Sequence, residues 1–169
     1  MDQHIAYLSI GSNKGDKKKN LEKAILLLKD HDKMDVLAVS SFYQTQPQNF
    51  TDQDWFVNAA LKISTVFDPA DLMAELKNLE TRLDKTGKVF RFGPRVIDLD
   101  IIYYDDVALK TDMLEIPHPR MHERCFVLIP MCDIAGTKIH PVFKKTPAQL
   151  LKNMEKQEAQ EVILLDEEA

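Results

Sequence analysis

The sequence predicts an α+β fold in which helices pack on a mostly antiparallel sheet. The prediction rests on the pattern of apolar residues and on the order of the elements that it predicts. Apolar stretches typical of strands are interspersed with stretches at helical spacing, and their order along the chain is strand, helix, strand, strand, helix, strand. That order is the split β-α-β arrangement of a ferredoxin-like sandwich. The length of 169 residues suits one domain over residues 1–169, and 44% hydrophobic with 29% charged residues is typical of a globular protein.

The first half of the chain alternates predicted strands with amphipathic helices. Apolar, β-branched stretches predict strands over residues 5–10, 36–43 and 55–66. Leucine and isoleucine at helical spacing predict a helix over residues 17–30. A second helix is expected to start at Asp68-Pro69, a capping residue followed by a proline, and to end near Asp84.

The second half begins with a predicted strand from Val96 to Tyr104. After a turn at residues 105–106, residues 107–109 are expected to return as a hairpin strand. Residues 121–132 predict a short helix or an irregular packed segment broken by Pro130. A last helix is expected from Thr146-Pro147 to Met154, and residues 162–165 are a candidate short strand.

Two aspartates inside the strand after Val96 are the strongest functional signal. Because alternate side chains of a strand point to one face, Asp98 and Asp100 are expected to lie side by side while Leu99 and Ile101 face a core. Two carboxylates at this distance repel each other unless a proton or a cation lies between them, which favours a divalent metal site. The alternative is a solvated polar face on an edge strand, although aspartate is a poor strand former.

Basic residues concentrate around this strand, although the chain carries a net charge of −5. Arg95 offers a planar fork of donors of the kind that binds phosphate. Other basic residues lie before and after it: Lys85, Lys88, Arg91, His118, Arg120, His122 and Arg124. An acidic chain with one basic region is typical of a protein that binds a compact anion, and its overall charge argues against a nucleic-acid binder.

Several other classes are disfavoured by composition. No apolar run approaches the roughly 20 residues of a membrane span. The first residues, from Met1 to His4, lack the basic-then-apolar pattern of a signal peptide, so the expected location is the cytoplasm. Cys125 and Cys132 are expected to be reduced thiols. A zinc site formed with His118 is disfavoured because the prolines around it make the ligand spacing unreliable.

Two polar features leave alternatives open. The amide-rich loop over residues 44–54 is either a surface connection or a lid over a binding site. Asn58 lies inside the apolar third strand, where a buried amide must find partners. It either pairs with the backbone or presents its donor and acceptor to a heterocycle.

Motifs in the order of one known family cover nearly the whole chain. The long ones are Gly93-Pro94-Arg95-Val96-Ile97-Asp98-Leu99-Asp100-Ile101 and Pro117-His118-Pro119-Arg120-Met121-His122-Glu123-Arg124-Cys125-Phe126-Val127-Leu128, and shorter ones are Gly11-Ser12-Asn13, Ser40-Ser41-Phe42-Tyr43-Gln44-Thr45 and Asn58-Ala59-Ala60. Together they resemble the 6-hydroxymethyl-7,8-dihydropterin pyrophosphokinase family of folate biosynthesis. The resemblance implies a ferredoxin-like fold and transfer of the pyrophosphoryl group of ATP to the pterin hydroxymethyl group, with release of AMP. Many members are fused to other folate enzymes.

The resemblance also implies roles for individual residues. Asp98 and Asp100 would hold two Mg²⁺ ions, and the catalytic residues would be Lys85, Arg95, Asp98 and Asp100. ATP would be bound by Glu80, Arg91, Phe92, Arg95, His118 and Arg124. The pterin would be bound by Thr45, Gln46, Phe56, Asn58, Asp98 and Phe126. Without the resemblance, the two phenylalanines would be taken as ordinary core aromatics.

Two residues depart from the family pattern. Lys85 stands where the family usually has arginine, so the charge is kept but the bidentate fork is lost. Phe92 stands where the family often has tryptophan. The loops over residues 44–54 and 85–92 are expected to close over ATP and exclude water.

Two other functions remain as alternatives to pterin pyrophosphoryl transfer. One is a ferredoxin-like nucleotide-binding module without chemistry, which the acidic charge and two aspartates on a central strand disfavour. The other is a different Mg²⁺-dependent two-metal phosphotransferase or nuclease, which the nucleotide product distinguishes. The expected partners are ATP and the pterin, with neither nucleic acid nor membrane.

Overall fold

The computed structural model describes residues 2–48, 51–84, 93–154 and 160–165. Its strands are β1 (His4–Ser12), β2 (Met34–Val39), β3 (Tyr43–Thr45), β4 (Phe56–Thr65), β5 (Asp98–Tyr104), β6 (Leu109–Lys110), β7 (Glu115–Ile116) and β8 (Val162–Leu164). Its α-helices are α1 (Lys17–Lys29), α2 (Pro69–Leu83), α3 (Cys125–Ala135) and α4 (Pro147–Met154). None of these helices is long and apolar enough to cross a membrane.

A six-stranded sheet organises the fold, with β5, β1 and β4 side by side. β2 and β3 pair with different halves of β4, and β8 extends the sheet from β3. All of these pairings are antiparallel. The predicted α+β class, with a mostly antiparallel sheet, is therefore confirmed.

Side-chain alternation divides the sheet into two faces, and helices cover both. One face packs apolar residues of β1, β4 and β5 against the buried stripes of α1 and α2. The other packs Tyr7, Ala60 and Tyr103 against α3 and α4. The polar site lies on this second face, next to the start of α3.

The predicted second strand is divided in two. Strand β2 ends at Val39 and β3 begins at Tyr43. At the break, the Ser40 hydroxyl accepts the Ala60 N–H at 2.8 Å, and the Ser41 N–H donates to the Asp133 carboxylate at 3.2 Å. Because side chains satisfy these main-chain groups, the chain can leave the regular strand ladder here.

Three further predictions differ from the structure. β6 pairs with β7 rather than returning onto β5. Pro130 lies in the middle of α3 instead of breaking it, because burial of Val127, Leu128 and Met131 around it offsets the lost hydrogen bond. The strand that carries both aspartates is at the edge of the sheet, not at its centre.

A β-bulge explains where strand alternation fails in β5. The register with β1 shifts between Tyr7 and Leu8, which face Tyr103 and Ile101 respectively. Ile102 is the extra residue, so Ile102 and Tyr103 both pack on the face covered by α3. Upstream of the bulge, Leu99 and Ile101 point into the opposite core as the alternation predicts.

Candidate active site

A polar cleft opens on the face of the sheet that α3 packs against, beside the first turn of that helix. Register places Gly11 of β1 between Asn58 of β4 and Asp98 of β5, and it places Ser9 beside Asp100. These residues lie on one face of the sheet because they occupy alternate positions of their strands. They line a cavity of about 250 Å³.

Most of the residues implied by the motifs meet in this cleft. Those lining it are Thr45, Gln46, Phe56, Asn58, Arg95, Asp98, Asp100, His118, Arg124 and Phe126. Glu80 does not line it: its carboxylate accepts the Leu99 N–H at 2.7 Å, between the two aspartates. The predicted contacts Lys85, Arg91 and Phe92, and the loop over residues 85–92, lie outside the described residues.

The two aspartates are held close together in a partly dehydrated setting. Burial, and then the neighbouring Asp98 carboxylate, raise the pKa of Asp100 to about 6. Asp98 is paired with Arg95 across 3.2 Å. Within the described ranges, no group of three or more His, Cys, Asp or Glu residues is arranged to hold a metal ion. Two carboxylates alone suit Mg²⁺, which commonly takes its remaining ligands from substrate phosphates and water.

Two arginines bring unused donors to the cleft. The buried Nε atoms of Arg95 and Arg124 have no acceptor among the described residues. Each guanidinium also stacks on a phenylalanine of the cleft, Arg95 on Phe56 at 5.1 Å and Arg124 on Phe126 at 5.5 Å. The cleft therefore offers fixed cationic donors next to two aromatic rings.

The main chain of Arg95 is held by Asn13. Arg95 donates its N–H to the Asn13 side-chain oxygen at 2.9 Å, and its carbonyl accepts the Asn13 N–H at 3.1 Å. The Asn13 amide nitrogen also donates to Gln53 and to the Asp54 carbonyl. One buried asparagine thus joins the end of β1, the arginine and the loop before β4.

His118 contributes a neutral donor. Burial, and then the charge of Arg124, lower its pKa to about 4, so the ring is uncharged near neutral pH. The Arg120 N–H donates to its Nδ1 at 3.1 Å, so the ring proton must be on Nε2. A neutral N–H donor therefore completes the row of donors formed by the two arginines.

Buried hydroxyl and amide groups form a recess in the same cleft. The Thr45 hydroxyl donates to Asn58 Oδ1, and Asn58 Nδ2 donates to the Ile10 carbonyl at 3.3 Å. Thr45 is 1% exposed and Asn58 is 5% exposed. Asn58 therefore bonds to the backbone and also lines the cleft, so the two alternatives for it are compatible.

A second cavity adjoins the carboxylates on the α2 side. It encloses about 330 Å³, and Lys77, Asp100 and His118 line both cavities. Lys77 pairs with Glu80 across 3.3 Å. Burial opposes the lysine charge, but the Glu80, Asp100 and Asp98 carboxylates together raise the pKa of Lys77.

Sequence reasoning missed some of the lining residues, namely Ser9, Gly11, Gln48, Lys77 and Gln160. Strand alternation could have found Ser9 and Gly11, since they share a face of β1. The helical spacing of Lys77 and Glu80 could have suggested a pair. Nothing local marks Gln160, which reaches the cleft from the other end of the chain.

The fold and the cleft together define a class of protein. Paired carboxylates, two arginines and a neutral histidine are an arrangement typical of enzymes that transfer phosphoryl groups with the help of a metal ion. The neighbouring aromatic and amide recess suits a flat, polar acceptor.

Comparisons identify the family within this class. The model of the 7,8-dihydro-6-hydroxymethylpterin-pyrophosphokinase (HPPK) family matches residues 7–136. The chain is 42% identical over 131 residues to the 2-amino-4-hydroxy-6-hydroxymethyldihydropteridine pyrophosphokinase of Bacillus subtilis, covering 78% of each chain. It is also 43% identical over 151 residues to the folic acid synthesis protein FOL1 of Dictyostelium discoideum. That match covers 89% of this chain but spans 22% of the Dictyostelium protein.

The chain belongs to the HPPK family, whose members are ATP-dependent pyrophosphokinases. The motif resemblance is thereby confirmed. A similar fold occurs in the crystal structure of wild-type Plasmodium falciparum HPPK-DHPS with pteroate, at a TM-score of 0.74 and 16% identity. That match covers 92% of this chain and 44% of the Plasmodium chain. Longer relatives also include the bifunctional protein FolKE of Lactococcus lactis, of which this chain spans 42%.

Proposed function

We propose that this chain transfers the pyrophosphoryl group of ATP to the hydroxymethyl group of 6-hydroxymethyl-7,8-dihydropterin. The proposal rests on one observation: a single cleft combines a recess that suits a heterocycle with a site that suits phosphates. A recess of aromatic and amide groups lies beside a pair of carboxylates that face arginine donors. A heterocycle in the recess brings its side arm to the carboxylates, and the neighbouring arginines and histidine are the donors for a polyphosphate.

The recess accounts for recognition of the pterin. Asn58 and Thr45 form a nearly water-free edge of donors and acceptors, which a pterin ring matches with its own amide and amino groups. Phe56 and Phe126 line the same cavity, and we assign them to the two faces of the ring. Such a site rejects rings that leave its buried polar groups unpaired.

The carboxylates and donors account for the transfer step. The hydroxymethyl oxygen attacks the β-phosphorus of ATP and gives up its proton to solvent, the bond from that phosphorus to the oxygen bridging to the α-phosphate breaks, and AMP leaves. We assign Arg95, Arg124 and His118 to the phosphates, where fixed donors stabilise the charge that grows during transfer. Asp98 and Asp100 would hold two Mg²⁺ ions, which would polarise the phosphates and lower the pKa of the attacking hydroxyl.

The second cavity is our candidate for the nucleoside of ATP. Its apolar walls are formed by Met73, Leu76, Leu99, Ile101, Met113 and Leu114. It shares Lys77, Asp100 and His118 with the main cleft. A purine in this cavity therefore places its phosphates toward the carboxylates. Lys85, Arg91, Phe92 and Glu80 remain predicted contacts of ATP.

The direct test is to incubate the purified protein with Mg-ATP and 6-hydroxymethyl-7,8-dihydropterin and to resolve the nucleotide products. We expect AMP that forms only when the pterin is present. ADP would instead indicate transfer of a single phosphoryl group, and nucleotide release independent of the pterin would contradict the proposed acceptor.

A matched pair of variants tests the role of the carboxylates. We expect D98A to reduce AMP formation by at least a thousandfold, because the pair that would hold the metal is broken. Its melting temperature should change little, because the lost Arg95 ion pair and the relieved repulsion of Asp100 oppose each other. The control is D35N, a change at an exposed position of β2. Near-normal turnover by D98A would refute the assignment.

A further inference from the structure

The C-terminal strand β8 approaches the pterin recess from outside the segment that the family model matches. That match ends at residue 136, whereas β8 comprises Val162–Leu164. β8 pairs with β3, which carries Thr45. Gln160, just before β8, lines the same cavity as Thr45, Asn58, Phe56 and Phe126.

Gln160 satisfies a main-chain donor at the start of α3 that has no partner within the helix. The first N–H groups of a helix have no partner within the helix, and the preceding residue, Arg124, provides no side-chain cap. The Gln160 side-chain oxygen accepts the Phe126 N–H at 3.1 Å. A residue 34 positions away along the chain therefore holds the helix end that carries Phe126.

The other end of the same amide binds the residue that directly follows β3. Gln160 Nε2 donates to the Gln46 carbonyl. The Gln46 N–H donates to the Glu161 carbonyl at 2.9 Å, and the Glu161 N–H donates to the Gln46 side-chain oxygen at 3.2 Å. Gln46 is thus bonded through its backbone and its side chain to the two residues that precede β8.

From these contacts we infer that Gln160 is a positioning residue for the pterin. Its single amide bridges the aromatic wall at Phe126 and the strand that presents Thr45, and so sets the width of the recess. The inference rests on the proposed function, since it deepens the same site. A recess of fixed width keeps the ring oriented with its hydroxymethyl group toward the carboxylates. Because the recess is already ordered, less conformational entropy is lost when the ring binds.

The test compares Q160A and Q160M with the unchanged protein. Q160A removes both hydrogen bonds, and Q160M removes them while keeping most of the side-chain volume. We expect both to weaken binding of 6-hydroxymethylpterin about tenfold, measured by titration calorimetry with a saturating non-hydrolysable Mg-ATP analogue. In turnover, KM for the pterin should rise by a similar factor, while KM for ATP should stay within twofold and kcat within threefold.

E161A is the matched control, because Glu161 contributes its main-chain groups to Gln46 and E161A keeps them. It should bind the pterin as the unchanged protein does. Q160E separates the two halves of the bridge: it keeps the acceptor for Phe126 but places an acceptor against the Gln46 carbonyl. We expect Q160E to weaken pterin binding as well.

The outcomes distinguish this inference from the proposed function. Equal pterin affinity of Q160A and the unchanged protein would overturn the inference alone. Wild-type affinity in Q160M would also overturn it, because volume rather than the amide bridge would then suffice. Equal losses in KM for ATP and KM for the pterin would indicate a general structural role and contradict it. If the protein without any substitution binds no pterin, the proposed function is refuted, and the inference fails with it.

Discussion

At the scale of single residues, the close approach of two strands makes one glycine indispensable to the recess. A Cβ placed on Gly11 would lie 2.4 Å from Asn58 Nδ2. Asn58 is buried and bonded on both sides, by Thr45 and by the Ile10 carbonyl, so it cannot turn away without losing partners.

We therefore predict that G11A displaces Asn58. Overpacking of this kind costs about 1–3 kcal/mol of folding free energy, which chemical denaturation can measure. Pterin affinity should fall at least tenfold, while affinity for an ATP analogue should change much less. The control is G136A, whose added Cβ would be 3.3 Å from the Cys132 carbonyl and distant from the cleft. Wild-type pterin affinity in G11A would contradict this account of the recess.

At the scale of elements, β5 is an edge strand that has to be fixed from outside the sheet. Because no strand of the described residues lies along its outer edge, the Leu99 N–H needs another partner, and the Glu80 carboxylate on α2 accepts it at 2.7 Å. A helix side chain thus holds the backbone between Asp98 and Asp100. The same contact explains why Glu80 faces the strand rather than the cleft.

This arrangement predicts different results for two substitutions of Glu80. E80A leaves the Leu99 N–H buried without an acceptor and should cost about 1–3 kcal/mol of folding free energy and about tenfold in turnover. E80Q retains an oxygen acceptor and should stay within about 1 kcal/mol of the unchanged protein. N78A, at an exposed position of the same helix, is the control. If E80Q raises KM for ATP as strongly as E80A does, Glu80 acts on the nucleotide directly.

At the scale of the whole molecule, a buried histidine makes the stability of the fold depend on pH. His140 is 3% exposed, it stacks on Phe143, and its Nδ1 accepts the N–H groups of Val142 and Phe143. Burial, and then the nearby His122 and Lys144, lower its pKa to about 4. Protonation would place a hydrogen on Nδ1 and break both hydrogen bonds.

The sign of the effect follows from linkage. Because the folded pKa is below the unfolded value of about 6.5, the unfolded chain binds the proton more readily between pH 6.5 and pH 4. The contribution of His140 to stability is therefore complete above about pH 6.5 and falls as the pH is lowered toward 4, by an amount on the order of 1–3 kcal/mol. His118, whose pKa is lowered in the same direction, adds to this loss. Asp100 opposes it, because its pKa is raised to about 6 and the folded chain therefore binds that proton more readily.

Urea denaturation at pH 7 and at pH 5 measures this dependence. H140N should be less stable than the unchanged protein at pH 7, because the stacked ring is lost, but it should lose less stability between the two pH values. The same pH dependence in both proteins would show that His140 is not the source. The control is H31N, which replaces a different, partly buried histidine near α2. Its pH dependence is compared with that of H140N.

Much of this protein follows from local sequence patterns. Continuous apolar stretches defined β1 and β4, and helical spacing with Asp68-Pro69 defined α1 and α2, because these patterns depend on neighbouring residues alone. The pairing of Asp98 and Asp100 on one face followed from the same rule. The split of the second strand could not be predicted, since it depends on Asp133 accepting the Ser41 N–H across 92 positions of the chain.

The sequence by itself determined the class of fold, the side-by-side aspartates and, through its motifs, the family and most residues of the cleft. Only the tertiary structure decided that β5 lies at the sheet edge, that helices cover both faces, and that Lys77, Gly11 and Gln160 reach the site. The reason is physical: alternation and helical spacing fix which face a side chain occupies on its own element. Which faces meet depends on contacts between elements distant in the chain, such as the bridge from Gln160 to Phe126 and Gln46.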